Sequence, residues 1–148
     1  MTRPPHILLV ESLYYTHIAA ELRRGAERAL ASVGATHERI AVPGAFEIPA
    51  AIGIAGRTSE RFDGFVALGC VIRGETTHYD HICAESARGL QDLAIREGIA
   101  IGYGILIVEN EAQALARASP DGRDKGGEAV RACLAIVDLK RRPAGNGG

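Results

Sequence analysis

The stretch CVIRGETTHYDHI, residues 70–82, follows directly on the apolar run GFVALG and packs an arginine, two acids, two threonines and two histidines into thirteen positions. Gly74 lets the backbone approach a ligand closely. Glu75, Thr76 and Thr77 precede a helix expected to begin near Asp80, and free amides and hydroxyls at a helix start suit an anion such as phosphate. His78 is the natural proton-transfer residue, because its unperturbed pKa lies near neutrality. The same string also suits a capping loop carrying a solvated histidine, and one glycine with two threonines does not separate the two readings. His78, Asp80 and His81 have the form of half a metal site. Only His6, His17 and His37 remain elsewhere, whereas a hydrolytic zinc needs about three protein ligands and an open position. No metal is therefore expected.

Two further loci carry chemistry. Arg117, Arg123 and Lys125 gather around a turn, and Lys125-Gly126-Gly127 opens a helix. Arginine offers a planar fork to a phosphate and lysine a point charge; a solvated charged turn is the plainer alternative. The string is not a phosphate-binding loop of the GxxxxGK[ST] type. The segment Pro43–Glu47 supplies backbone donors, the aromatic Phe46 and the carboxylate of Glu47, and residues 13–17 add Tyr14 and Tyr15. These rings are suited either to sandwich a flat heterocycle or to staple their loops to the core.

The surrounding pattern says how these loci are held. Residues 6–10 and 64–72 are apolar runs of buried-strand type, 36–42 alternate as a half-buried strand, and 99–108 form a fourth strand. Between them, Ile18, Leu22, Ala26, Ala29, Leu30 and Val33 mark one face of a helix that Thr16 is placed to cap and Gly34 to end. Pro49 suits the first turn of a small-residue helix, residues 80–98 have helical spacing, and Asn110 and Asp124 are placed to cap two more helices. Strands alternating with helices, two of the strands buried on both faces, predict a parallel sheet covered on each side, with right-handed crossovers. Such sheets bind ligands beyond the carboxyl ends of their strands. Segments 11–17, 43–49, 70–81 and 109–125 all fall there.

Composition narrows the function classes. The 148 residues suit one domain, with about 1–5 and 142–148 expected as frayed tails. Hydrophobic residues make up 47%, enough for a real core, and the net charge is −1. No basic stripe points to nucleic acid and no polybasic patch to a membrane. The start lacks an apolar run long enough for a signal peptide or a membrane span. Cys70, Cys83 and Cys133 are odd in number and widely spaced, which suits reduced, mostly buried thiols in a cytoplasmic protein.

The strings VPGAFEIP, FDGFVALGCVIRGETTHYDHI, ENEAQALARA and DKGGEA, in order over residues 7 to about 139, together resemble the lumazine synthase family. The resemblance implies a flavodoxin-like αβα sandwich with a central four-stranded parallel sheet. It also implies a transferase of riboflavin biosynthesis that condenses 5-amino-6-ribitylamino-uracil with 3,4-dihydroxy-2-butanone 4-phosphate, releasing phosphate and water, with no cofactor. By resemblance His78 is the general acid/base, and Gly74, Glu75, Thr76 and Arg117 face the phosphate. Tyr14, Ala45, Phe46, Glu47, Val71, Ile72, Tyr103 and Lys125 hold the pyrimidine and its ribityl chain or lie beside them. Sites are implied between the subunits of a homopentamer, with Tyr103, Arg117 and Lys125 coming from the neighbour; a higher assembly is compatible. Leu13-Tyr14-Tyr15, residues 105–110 and residues 119–126 depart from common family strings. A catalytically weak paralogue that binds riboflavin or its precursors is the alternative, but it need not keep His78, Arg117 and Lys125, all of which are present.

Overall fold

A computed structural model describes residues 3–74 and 78–142, with the side chain of His78 outside the description. The elements run β1 (His6–Ser12), α1 (Thr16–Ser32), β2 (Thr36–Val42), a 3-10 turn at Ala45–Glu47, α2 (Ile48–Thr58), β3 (Gly64–Ile72), α3 (His78–Glu97), β4 (Ile101–Val108), α4 (Glu111–Ala118) and α5 (Lys125–Arg141). The strands form one parallel sheet in the order β2-β1-β3-β4.

The three layers follow from strand alternation. In β1, Ile7 and Leu9 point to one side and meet Ile18, Leu22 and Leu30 of α1 and Val130 of α5. Leu8 and Val10 point to the other and meet Ile48 and Ile52 of α2 and Leu90 of α3. β3 feeds both cores: Val66 and Leu68 join the first, Phe65 and Ala67 the second. The sheet is thus sandwiched between α1, α4 and α5 on one face and α2 and α3 on the other, which is the expected flavodoxin-like arrangement. No helix among the described residues is long and apolar enough to cross a membrane.

Local signals hold in most places. Asn110 accepts a hydrogen bond from the Gln113 amide and caps α4. Asp124 accepts one from the Gly127 amide and caps α5. Gly34 leaves α1 at φ 73°, a conformation that costs glycine no Cβ clash. Four expectations shift. Thr16 is the first residue inside α1 rather than its cap; Tyr15 occupies the cap position and offers no side-chain bond. α3 begins at His78, earlier than Asp80, and β4 at Ile101, later than Ile99. β2 is less buried than its alternation suggests, with Ile40 40% exposed, because it is an edge strand with one neighbour.

Charge is organised at the amino-terminal rim. Arg61 makes two bonds to Glu38, each 2.8 Å, while His6 Nε2 lies 2.8 Å from the same carboxylate and its ring stacks on Phe62. Residues 3–5 lie in this rim: Arg3 grips Asp63 with two bonds of 2.7 and 2.8 Å, and the Pro5 carbonyl accepts from the Thr36 amide. Arg141 of α5 joins Asp63 at 3.3 Å. On the α1 side of the sheet, Glu11 is only 3% exposed at the end of β1 and is matched by Arg23 at 2.6 Å and Arg39 at 3.6 Å. A buried carboxylate needs such partners to offset its desolvation.

Hydrogen bonds from Arg61 and then His6 hold the Glu38 carboxyl at about 2, below its ordinary 4.5. Burial works to raise Asp63, but Arg3, the His6 amide and Arg141 outweigh it and leave it lowered. A carboxylate with a depressed folded pKa stabilises the fold above its unfolded pKa and loses that contribution as pH falls through the folded one. The melting temperature, followed by circular dichroism, should therefore fall between about pH 4.5 and 2, and Glu38→Gln should flatten part of that fall.

Burial also pushes the Cys70 and Cys133 thiols up to about 12 and raises Cys83. Since the thiolate is the reactive form, a chromogenic thiol reagent at pH 8 should modify Cys83 first in the native protein, and all three cysteines only after denaturation. Simultaneous reaction of all three in the native state would contradict this.

Candidate active site at the carboxyl rim of the sheet

The loops after β1, β2 and β3 meet around a cavity of about 500 Å³. Each arrives there because its parallel strand ends at that rim. Tyr14 comes from the β1–α1 loop, and Ala45, Phe46 and Glu47 from the 3-10 turn that follows β2. Val71 and Ile72 come from the end of β3 and Gly74 from just beyond it. These seven residues were all expected to act in one site, and one cavity gathers them. Tyr14 is 72% exposed and Phe46 54%. Rings so exposed are not stapling their loops to the core; they stand open to a flat ligand. Ala45 by contrast is buried, fixing the turn from which Phe46 and Glu47 project.

Glu75 and Thr76 lie outside the described residues. His78 is described by its backbone, as the first residue of α3. Tyr79, the next residue of α3, lines the cavity, as does Gly74 beyond the end of β3.

Arg117 and Lys125 lie elsewhere. They line a second cavity of about 380 Å³ with Arg123, Glu128 and the Ile105–Ile107 stretch of β4. The two cavities share no lining residue. Lys125 approaches Glu128 at 3.3 Å, and the Arg117 guanidinium reaches the Ile107 carbonyl at 3.5 Å. Among the described ion pairs none includes Arg117 or Arg123, so three cations face one carboxylate. That imbalance suits a bound anion. Tyr103 lines neither cavity. Only partly buried, it packs from the edge strand β4 against the core beneath α3, with its hydroxyl covered and without a hydrogen bond, beside a Ser86 that gives its own hydroxyl to the Cys83 carbonyl; burial pushes the Tyr103 phenol up.

Tyr15, named with Tyr14 in the sequence as a ring for a flat ligand, also lines the cavity and packs edge-on to Tyr14 with ring centroids 4.9 Å apart. Other residues there were not foreseen. Cys70, Tyr79 and Ile82 complete the wall and floor. Cys70 reads as core because it ends an apolar strand, and Tyr79 is hidden by its more reactive neighbour His78. Among the described residues no cluster of three His, Cys, Asp or Glu side chains is placed to hold a metal.

Residues 4–141 match the family model of 6,7-dimethyl-8-ribityllumazine synthase. A Rhizobium meliloti protein named 6,7-dimethyl-8-ribityllumazine synthase 1 is 51% identical over 144 residues, covering 95% of this chain and 94% of that protein. The 6,7-dimethyl-8-ribityllumazine synthases of Sphingopyxis alaskensis and Agrobacterium fabrum are 53% and 50% identical. They cover 93% and 95% of this chain, and 96% and 98% of their own lengths. The likeness runs through the rim loops as well as the sheet, and the chain belongs to the 6,7-dimethyl-8-ribityllumazine synthase family.

Proposed function

We propose that residues 1–148 form a single-domain 6,7-dimethyl-8-ribityllumazine synthase, a transferase of riboflavin biosynthesis. It condenses 5-amino-6-ribitylamino-uracil with 3,4-dihydroxy-2-butanone 4-phosphate and releases phosphate and water. The observation that carries this reading is the cavity that unites Tyr14, Phe46, Glu47, Val71 and Ile72 in a chain of this family. Tyr14 and Phe46 take the flat ring, Glu47 and the Ala45 turn the ribityl hydroxyls, and the end of β3 the pyrimidine edge. The reaction needs no redox step, so its chemistry is positioning and proton transfer.

His78 carries the protons. Condensing an amine with a ketone requires one delivered to the carbinolamine hydroxyl, and another taken from carbon as phosphate leaves. Gly74, Glu75 and Thr76 face the phosphate, with Arg117 stabilising the charge that grows as it departs. Lys125 stands beside Arg117.

The working unit in this reading is a homopentamer with sites between subunits. One chain supplies the first cavity, and its neighbour brings Arg117, Lys125 and Tyr103 to it. Support comes from the separation of the two cavities within one chain and from the position of the second along the edge strand β4. Three free thiols, those of Cys70 and Cys133 buried, fit a cytoplasmic setting.

Lumazine absorbance and fluorescence on mixing the two substrates test the activity directly. His78→Ala should lower kcat by about 10²–10⁴-fold while leaving the KM for the pyrimidine nearly unchanged. Arg117→Ala should raise the KM for the butanone phosphate, lower kcat and weaken competition by inorganic phosphate. Mixing the two inactive variants should restore part of the activity, because some interfaces then pair one intact half from each chain. Wild-type kcat in His78→Ala, or a stable and fully active monomer by sedimentation, would overturn these roles.

A further inference from the structure

Asp124 is the only non-glycine residue among those described with a positive φ, at φ 51° and ψ 53°. Left-handed backbone outside glycine is held against a steric cost, and such residues gather at functional sites. Here the surroundings over-determine it. The Asp124 side chain accepts from the Gly127 amide at 3.3 Å and stands 3.8 Å from Arg131. Its amide donates to the Ser119 carbonyl, and its carbonyl accepts from the Glu128 amide. Its carboxylate fills the space where a Cβ on Gly25 of α1 would stand, and the next contact of the same two helices repeats the device, with Gly126 seated against the Leu22 carbonyl. α1 therefore acts as the floor on which the first turn of α5 rests.

The two residues that flank Asp124 are Arg123 and Lys125, and both line the second cavity. Lys125 is the first residue of α5, and Arg123 is the last of the turn, its amide bonded to the Ala116 carbonyl one residue from Arg117. A reversal of backbone sense at Asp124 lets the cations on either side of it, one on a turn and one on a helix, face one pocket.

We propose that Asp124, locked by Gly25, is a positioning residue that aims Arg123 and Lys125 at the phosphate of the four-carbon substrate, with Arg123 acting beside Arg117 as an anion ligand. This rests on the synthase reading given above. Asparagine also tolerates the left-handed region and keeps an oxygen to cap the helix; alanine keeps neither advantage, and glycine keeps only the conformation.

The test is a substitution series assayed well below each variant's melting temperature, with both substrates varied in turn. Asp124→Asn should stay near wild type. Asp124→Ala should raise the KM for the butanone phosphate by roughly tenfold to a hundredfold, the scale of a misplaced binding group, with the pyrimidine KM little changed. Gly25→Ala, remote from both cavities in sequence, should show the same one-sided rise because its methyl displaces the Asp124 carboxylate. Adding Asp124→Gly to Gly25→Ala removes the clash and should recover much of the lost affinity. Arg123→Ala should weaken competition by inorganic phosphate. Equal effects on both KM values, or a double variant no better than Gly25→Ala, would overturn the assignment. A wild-type protein that fails to make the lumazine would instead sink the synthase reading; binding of inorganic phosphate, measured by calorimetry, would then decide whether Asp124→Ala still disturbs the cation group.

Discussion

The burial of β3 on both faces is the constraint from which the rest follows. Eight of its nine residues are buried, and a strand so placed needs helices above and below and a hydrogen-bonded neighbour on each side. β1 and β4 supply the neighbours, and both run parallel to it. Parallel strands can be joined only by connections that return across a face of the sheet. Each connection leaves from the same rim, so the polar loops converge there without any attraction between them. The residues that line the larger cavity, far apart in sequence, meet because the backbone accounting of one apolar strand leaves them nowhere else to go.

That logic explains which parts of the molecule could be read from sequence. The layers were legible because apolar runs and helical periodicity report burial directly. The caps at Asn110 and Asp124 were legible because the acceptor and the amide it serves are three residues apart. Thr16 misled because capping depends on which residue leaves the loop with extended backbone, and that residue is Tyr15. The exposure of β2 was hidden because alternation describes a strand's faces and says nothing of its edges. Glu11 gave no sign of its partners, since Arg23 and Arg39 reach it only through the packing of α1 and β2 around the end of β1.

The site divides in the same way. Tyr14, the 43–47 segment and the end of β3 were readable as one group, because the strand order places three adjacent strand ends together. Arg117, Lys125 and Tyr103 were readable as chemistry, but their location was not. Spacing along the chain cannot say that β4 is an edge strand, nor that the turn behind it opens outward from the sheet. The role of Asp124 was half visible: its side chain announces a cap, whereas its left-handed backbone becomes apparent only when Gly25 is seen beneath it.

Asp63 joins Arg3 to Arg141, and Arg141 also donates to the Arg3 carbonyl at 2.9 Å. The first and last described turns of the chain are therefore pinned to one carboxylate at the rim away from the cavities. In terms of connectivity the molecule is nearly a closed ring. A short linker between these two points would complete it. A partner joined at either of these two turns would start from that rim too, and would leave the mouth of the larger cavity uncovered.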